Sequence, residues 1–299
     1  MIRNIAALAA VVALFLSVAG CSRHGAEDKR LRVVVTILPL AEFVERVGGE
    51  KVRVAVMVPP GASPHTYEPR PSQLKEVSKA DLFVKVGSRI EFELVWMDKI
   101  IDVNRRMPVV DSSEGVELIR AKEGHEEEHE EDGAEGRHHS VVDPHIWLSP
   151  KNAKKMVDNV FKGLAKADPA NISYYEKNRD AYLSEIDALD GYITKTLSKA
   201  KSRKVMVYHS AWAYLARDYG IEEISIEKGG KQASPAGIAV VIRQARENDI
   251  RVIFASPEFS TRSAEVIAKE IGGQVVMVSP YARPYIENFK KVVAAFAER

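Results

Sequence analysis

The stretch NISYYEKNRDAYLSEIDALDGYITKTLSK, residues 171–199, carries a long helical pattern that organises the rest of the chain. Its apolar residues recur at steps of three, four and seven, which places them on one face of an α-helix. They are Ile172, Tyr175, Tyr182, Ile186, Leu189, Ile193 and Leu197. At about 1.5 Å per residue the helix would span roughly 40 Å, more than most single domains need. It is interpreted either as a connection between two lobes or as a long surface helix on one domain.

On the amino-terminal side of this helix, short apolar runs rich in β-branched residues alternate with helical patterns. The predicted strands are residues 31–37, 52–58, 82–86 and 108–110. Such alternation is typical of βα units around a mostly parallel sheet, because each strand returns through a helix.

The same alternation restarts after the helix, with predicted strands at residues 204–208, 222–226, 252–255 and 275–278. A chain of 299 residues is long enough for two domains. We therefore predict an α/β fold with two lobes and mostly parallel sheets, residues 31–170 and 203–299. The long helix, residues 171–202, would join them.

The amino terminus differs from the rest of the chain. Within residues 1–20 an Arg precedes an uncharged apolar run that is too short for a comfortable transmembrane helix. The run ends in Val18-Ala19-Gly20-Cys21, which resembles the bacterial lipobox, where cleavage precedes a lipidated Cys. We predict a signal peptide at 1–20, a lipid on Cys21 and a tether at 21–30, so that the protein faces an extracytoplasmic space, periplasm or cell surface. The alternative is a plain signal peptide with an incidental Cys.

Charge is balanced overall and concentrated in one segment. The chain has 43 Lys and Arg against 42 Asp and Glu, which offers no electrostatic footprint for nucleic acid. Residues 122–139 combine eight acidic residues with half of the chain's eight histidines, namely His125, His129, His138 and His139. A segment of this composition is predicted to be disordered. It is either a metal-collecting loop or a solvated acidic spacer.

Three other histidines follow predicted strands or precede a helix. His65 lies in Gly61–Pro69, His145 in the segment before Ser149-Pro150, and His209 directly after the strand at 204–208. Open α/β folds bind ligands at the carboxyl ends of their strands. Imidazole suits Zn²⁺ and several other transition metals, so a metal site is the hypothesis. Sequence spacing alone does not show that the three side chains meet.

Several motifs occur in a specific order. They are Pro64-His65-x-Tyr67-Glu68-Pro69, Asp143-Pro-His145-x-Trp147, Tyr208-His209 and Phe254–Ser260. Together with the lipobox and the His-rich segment, they resemble the metal-binding class of ABC-transporter solute-binding proteins, the zinc and manganese uptake lipoproteins. The resemblance implies two α/β lobes on one long helix, a metal site between the lobes, and an ABC permease as partner. It implies His65, His145 and His209 as metal ligands.

The fourth coordination position departs from the family pattern. An Asp of a Leu-Asp-Pro-Leu-like segment often occupies it, where this chain has Val278-Ser279-Pro280-Tyr281. Because Ser279 is a poorer ligand than a carboxylate, water, Ser279 and Glu258 all stay open as the fourth donor. Glu68 and Asp143 are expected to orient an imidazole or a backbone group. Asp143 before Pro is also simply a good turn residue.

The implied function is binding rather than catalysis. Three neutral nitrogens favour Zn²⁺ over Mn²⁺, which prefers oxygen ligands. We therefore predict a monomeric zinc-binding protein that delivers Zn²⁺ to an ABC permease. A manganese- or iron-binding member of the same family is the alternative, followed by a surface adhesin. A zinc hydrolase is a further possibility from a different class, because three histidines with an open coordination position also occur in catalytic zinc sites.

Overall fold

Two parallel sheets with the same strand order form the framework of the protein. A computed structural model describes residues 29–120, 142–227 and 233–298. The first sheet has the order β2-β1-β3-β4 and consists of β1 (Leu31–Val35), β2 (Val52–Val56), β3 (Leu82–Lys85) and β4 (Val109–Asp111). The second has the order β6-β5-β7-β8 and consists of β5 (Lys204–Val207), β6 (Glu222–Ser225), β7 (Val252–Ala255) and β8 (Gln274–Met277). Every pairing is parallel, which confirms the predicted α/β fold.

Helices follow the strands in both halves of the chain. They are α1 (Leu38–Gly48), α2 (Pro71–Val77), α3 (Glu91–Val103), α4 (Pro150–Ala167), α5 (Ile172–Leu197), α6 (Ala213–Tyr219), α7 (Pro235–Glu247), α8 (Arg262–Glu270) and α9 (Tyr285–Ala297). Single 3-10 turns lie at Gly49–Lys51, Ile146–Leu148 and Pro169–Asn171. Gly49 ends α1 with a φ of 52°, a backbone angle that favours glycine. None of the described helices has both the length and the apolar character needed to cross a membrane.

The long helix α5 contacts both halves of the molecule. Its 26 residues pack against α1 and α4 from the first half of the chain and against α9 from the second. Six of the seven predicted apolar positions are buried, whereas Ile172, the first residue of the helix, is 41% exposed. The helix therefore connects two lobes, as one of the two interpretations predicts. The lobe limits of 31–170, 171–202 and 203–299 stay predictions.

The apolar core also runs through both lobes. A large cluster includes the first sheet, α5 and one face of the second sheet, to which Val205 and Val207 of β5 contribute. Met206, between them, points to a smaller cluster on the opposite face, with Ile253 and Ala255 of β7. Strands β5 and β7 are thus buried on both faces, as expected for parallel strands that are covered by helices. This leaves the strand ends and their loops for function.

Four predicted features lie wholly or mostly outside the described residues. The signal peptide at 1–20 and the lipidation site Cys21 precede them, as does most of the tether at 21–30. The segment 122–139 with its four histidines falls in the gap between residues 120 and 142.

Candidate metal centre

His65 lies on the loop that leaves β2 and is held against the start of α3. Ser63 shapes the loop, because its carbonyl accepts from the amides of Thr66 and Tyr67. The amide of Phe92 donates to the carbonyl of Pro64 at 3.0 Å, which fixes the loop to the first turn of α3. Glu91 lies in that turn, and its Oε2 is 2.6 Å from Nδ1 of His65. The imidazole is therefore oriented by a carboxylate from a neighbouring element.

His145 is the most buried of the three histidines, with 2% exposure. Asp143 accepts from its backbone amide at 2.8 Å and faces its Nδ1 at 2.9 Å. The carbonyl of Asp143 in turn accepts from the hydroxyl of Tyr214, which belongs to α6 of the second lobe. After this turn Ser149 begins α4, where its Oγ accepts from the amide of Asn152 at 3.1 Å. A capped helix thus fixes the far side of the His145 turn.

His209 follows β5 in the second lobe, and Glu227 follows the adjacent strand β6. The Nδ1 of His209 lies 2.8 Å from Oε2 of Glu227. The ring of Phe259 stacks on the imidazole at 4.2 Å between centroids, with 26° between the planes. The Nε2 of His209 is buried and has no hydrogen-bond partner within the described part of the chain.

The structure brings the three histidines together. Their ring centroids are 5.4, 4.9 and 5.4 Å apart for the pairs 65–145, 65–209 and 145–209. One ligand atom from each lies within 4.8 Å of the others, and no described carboxylate joins this group. Two ligand candidates come from the first lobe and one from the second. The cluster therefore sits where the carboxyl ends of both sheets face each other, consistent with the general placement of ligand sites in open α/β folds.

Each histidine uses the same nitrogen toward a carboxylate. Glu91, Asp143 and Glu227 face the three Nδ1 atoms, and a carboxylate can only accept a hydrogen bond. In the neutral imidazoles Nδ1 therefore carries the proton, and Nε2 presents a lone pair. Metal-ligating histidines have this carboxylate–imidazole arrangement, which sets the tautomer and raises ligand basicity.

The electrostatics favour a cation at this point. Burial lowers the pKa of His145 below the ordinary imidazole value, although Asp143 opposes this, so the ring stays neutral and able to bind metal. Burial alone would raise the pKa of Glu91, but the hydrogen bond and charge of His65 hold it below its usual value. Glu91 is therefore held in its ionised form and places negative charge beside the histidine cluster.

The donor set fits Zn²⁺. Three imidazole nitrogens with room for one further donor match a four-coordinate zinc site. The unpartnered Nε2 of His209 supports this fit, because a buried polar atom without a hydrogen bond costs about 1–3 kcal/mol. Coordination of a cation would satisfy that atom.

Comparison with known proteins assigns the family. The family model described as "Zinc-uptake complex component A periplasmic", named ZnuA, matches residues 33–299. This chain belongs to the ZnuA family.

Relatives of this family match nearly the whole chain. The "High-affinity zinc uptake system protein ZnuA" of Bacillus subtilis is 33% identical over 288 residues, covering 93% of this chain and 89% of the relative. The "Zinc-binding lipoprotein AdcA" of Streptococcus pneumoniae is 32% identical over 275 residues and 91% of this chain; this chain spans only 54% of AdcA. A solved structure named ZnuA superimposes with a TM-score of 0.82 at 36% identity, covering 90% of this chain and 98% of the other.

Of the remaining predicted site residues that the structure of this ZnuA-family chain describes, only Asp143 contacts one of the three histidines. Glu68 is exposed, and Glu91 is the carboxylate that orients His65 instead. Ser279 donates to Glu258 at 2.7 Å, so these two candidates for the fourth position bind each other. Asp143 Oδ1 is 2.9 Å from Nδ1 of His145.

Three residues beside the cluster were missed in the sequence. Glu91 and Glu227 are the carboxylates on His65 and His209, and Tyr281 places its hydroxyl 3.3 and 3.5 Å from Nε2 of His65 and His145. Glu227 comes directly after a predicted strand, a position from which it could have been nominated. Tyr281 carried no signal by residue type, since buried tyrosines are mostly core residues.

Proposed function

We propose that this protein captures Zn²⁺ with the Nε2 atoms of His65, His145 and His209 and delivers it to an ABC permease. The observation that carries this proposal is the convergence of three imidazoles whose Nδ1 atoms each face a carboxylate, which leaves Nε2 as the nitrogen available to a metal ion. Family membership and the zinc uptake and zinc-binding names of the relatives support it.

The choice of zinc over manganese follows from the ligand atoms. Mn²⁺ prefers carboxylate and water oxygens, whereas imidazole nitrogens suit Zn²⁺. The carboxylates next to the cluster are turned toward Nδ1 atoms rather than toward the point where the Nε2 atoms meet. They tune the imidazoles and leave nitrogen as the dominant donor.

A transport role is favoured over a hydrolase. A zinc hydrolase needs a general base close to the metal. Glu91, Asp143 and Glu227 are each engaged by an imidazole, and Glu258 accepts from Ser256 and Ser279. Ligands come from both lobes, so a movement that separates the lobes would dismantle the site and release the ion. This arrangement suits capture and delivery.

The proposed location is extracytoplasmic, with a lipid on Cys21 anchoring a monomer to a membrane. The lipobox-like segment before Cys21 and the lipoprotein name of the AdcA relative support this. Cys21→Ser should move the protein from the membrane fraction to the soluble fraction of cells, with unchanged zinc affinity. Retention in the membrane fraction would contradict the anchor.

Metal competition tests the central proposal. The chain from Cys21 onward, with and without residues 122–139, is titrated with Zn²⁺ and Mn²⁺ against a chelator of known affinity. We expect one tight zinc site that persists without 122–139, with manganese bound more weakly. A set of weaker sites should disappear with the deletion if the four histidines of that segment collect metal. His145→Ala should abolish the tight site, whereas His24→Ala, a matched change at a histidine of the predicted tether, should not. Tighter binding of manganese would refute the metal assignment.

A further inference from the structure

Tyr281, a residue of the second lobe, places its hydroxyl beside the imidazoles of both first-lobe histidines. Its hydroxyl oxygen is 3.3 Å from Nε2 of His65 and 3.5 Å from Nε2 of His145, and its side chain is 4% exposed. The hydroxyl of Tyr281 therefore lies next to the Nε2 atoms, which present lone pairs, and not next to the Nδ1 atoms, which face carboxylates.

These distances fit the edge of a coordination tetrahedron better than a pair of hydrogen bonds. A hydroxyl has one proton and donates to one acceptor, usually at about 2.7–2.9 Å. With metal–ligand bonds of about 2.0–2.1 Å, neighbouring atoms of a tetrahedral site are about 3.3–3.4 Å apart. The oxygen of Tyr281 lies 3.3 and 3.5 Å from two such nitrogens, close to this separation in both cases.

The segment that carries Tyr281 is held from both lobes. Ser279 Oγ accepts from the amide of Tyr281 at 3.1 Å and donates to Glu258 at 2.7 Å. From the first lobe, the indole of Trp147 donates to the carbonyl of Pro280 at 2.8 Å and packs against the ring of Tyr281, 5.6 Å between centroids. Ser279 and Glu258 therefore position Tyr281, which explains why neither reaches the histidines.

We propose that the hydroxyl oxygen of Tyr281 is the fourth ligand of the metal ion, completing a site of three nitrogens and one oxygen. This rests on the proposed function, because it concerns the same site. A neutral hydroxyl oxygen donates a lone pair but no charge, so it contributes less to affinity than a carboxylate would.

The test uses Co²⁺ as a spectroscopic probe in the full chain from Cys21 onward. The visible ligand-field bands of Co²⁺ report the number and kind of its ligands, and azide binds only where a coordination place is accessible. In the unmodified protein we expect a four-coordinate spectrum that azide leaves unchanged. In Tyr281→Phe we expect an altered spectrum that shifts further with azide, and zinc affinity lower by about 10-fold, comparable with the loss of a residue that orients a metal ligand.

Tyr285→Phe is the matched control. Tyr285 is equally buried, and its hydroxyl donates to the carbonyl of Trp147 at 2.7 Å rather than facing a histidine. It should keep the unmodified spectrum and its indifference to azide. Azide binding to the unmodified protein, or identical spectra for Tyr281→Phe and the unmodified protein, would overturn the inference. The azide experiment on the unmodified protein needs no variant to fold. A failure of the unmodified protein to bind Zn²⁺ or Co²⁺ would instead refute the proposed function.

Discussion

The two lobes share a strand order but contribute unequally to the metal centre. The first lobe supplies His65 and His145, and the second supplies His209 together with the hydroxyl of Tyr281. His145 is almost completely buried, whereas His65 keeps 16% of its side chain exposed. Because two of the three imidazoles belong to the first lobe, we infer that this lobe holds an ion through two nitrogens and that the second lobe completes the site. The two sheets therefore share a strand order, but the side chains that follow their strands differ between the lobes.

His145→Ala should have the largest effect on zinc affinity, because it removes the unequal number of imidazoles in the two lobes. The substitution leaves each lobe with a single imidazole, so neither lobe retains a pair of nitrogens that could hold the ion alone. We expect zinc affinity to fall by more than about 100-fold, exceeding the usual loss from removing a residue that only orients a ligand. Chelator competition measures the affinity, and circular dichroism checks the fold. His145→Ala with an affinity close to that of the unmodified protein would contradict a site built on the first lobe.

His209→Ala should have a smaller effect on affinity, because His65 and His145 remain together on the first lobe. The lobes would then lose the ligand that links them through the ion. Small-angle scattering with and without Zn²⁺ provides the second measurement, and any zinc-dependent compaction of the unmodified protein should be absent from the variant. A loss of affinity greater than that of His145→Ala would reverse the assigned roles of the two lobes.

Substitution of the carboxylates that face the imidazoles is expected to have the next largest effect on zinc affinity, and it again compares the two lobes. Glu227 is 8% exposed and pairs with His209, whereas half of the Glu91 side chain is exposed where it pairs with His65. A buried partner is replaced less well by water, so Glu227→Ala should weaken zinc binding by about 10–100-fold and Glu91→Ala by less.

Isothermal titration at a fixed pH measures both carboxylate variants. Glu68→Ala is the matched control, since Glu68 is exposed and away from the cluster. Equal losses for Glu91→Ala and Glu227→Ala would show that burial does not set the contribution of these partners.

Sequence reasoning predicts the framework of this protein well and its finer geometry poorly. The helix at α5 and the alternating strands follow from local periodicity, which a single sequence contains. The meeting of His65, His145 and His209 depends on contacts across two sheets, and only the family motifs pointed to it. Glu91 illustrates the limit. It is placed next to His65 by the hydrogen bond from the amide of Phe92 to the carbonyl of Pro64, a tertiary contact that sequence spacing does not reveal.

The fourth position shows the same limit from another direction. Alignment to a family motif drew attention to Ser279, the residue that replaces an Asp. In the folded chain Ser279 turns toward Glu258 and toward the amide of Tyr281, while the residue two places further on faces the histidines. A shift of two residues along a loop changes which side chain enters a site, and local patterns do not determine it.

The smallest expected effect concerns stability and again compares the lobes. Each lobe holds a strand-end loop with a carboxylate that accepts two backbone amides. Glu93 binds the amides of Val86 and Gly87 after β3, and Glu223 binds those of Ala211 and Trp212 after β5. Burial raises the pKa of both carboxyl groups, that of Glu223 to about 7.

A carboxyl group with a raised pKa binds more protons in the folded than in the unfolded state at intermediate pH. The free energy of unfolding therefore decreases as the pH rises from about 4.5 to about 7 through Glu223, by roughly 1–3 kcal/mol. Glu223→Gln keeps an acceptor oxygen for the two amides but removes the titration, so it should flatten this dependence and make the protein more stable than the unmodified chain at pH 8. Urea unfolding of the metal-free protein at pH 5, 6, 7 and 8 measures it, with Glu222→Gln, an exposed neighbour, as control. If the free energy of unfolding depended on pH in the same way for Glu223→Gln and the unmodified protein, the raised pKa of Glu223 would be contradicted. The loop that carries His209 would then be equally stable at all four pH values.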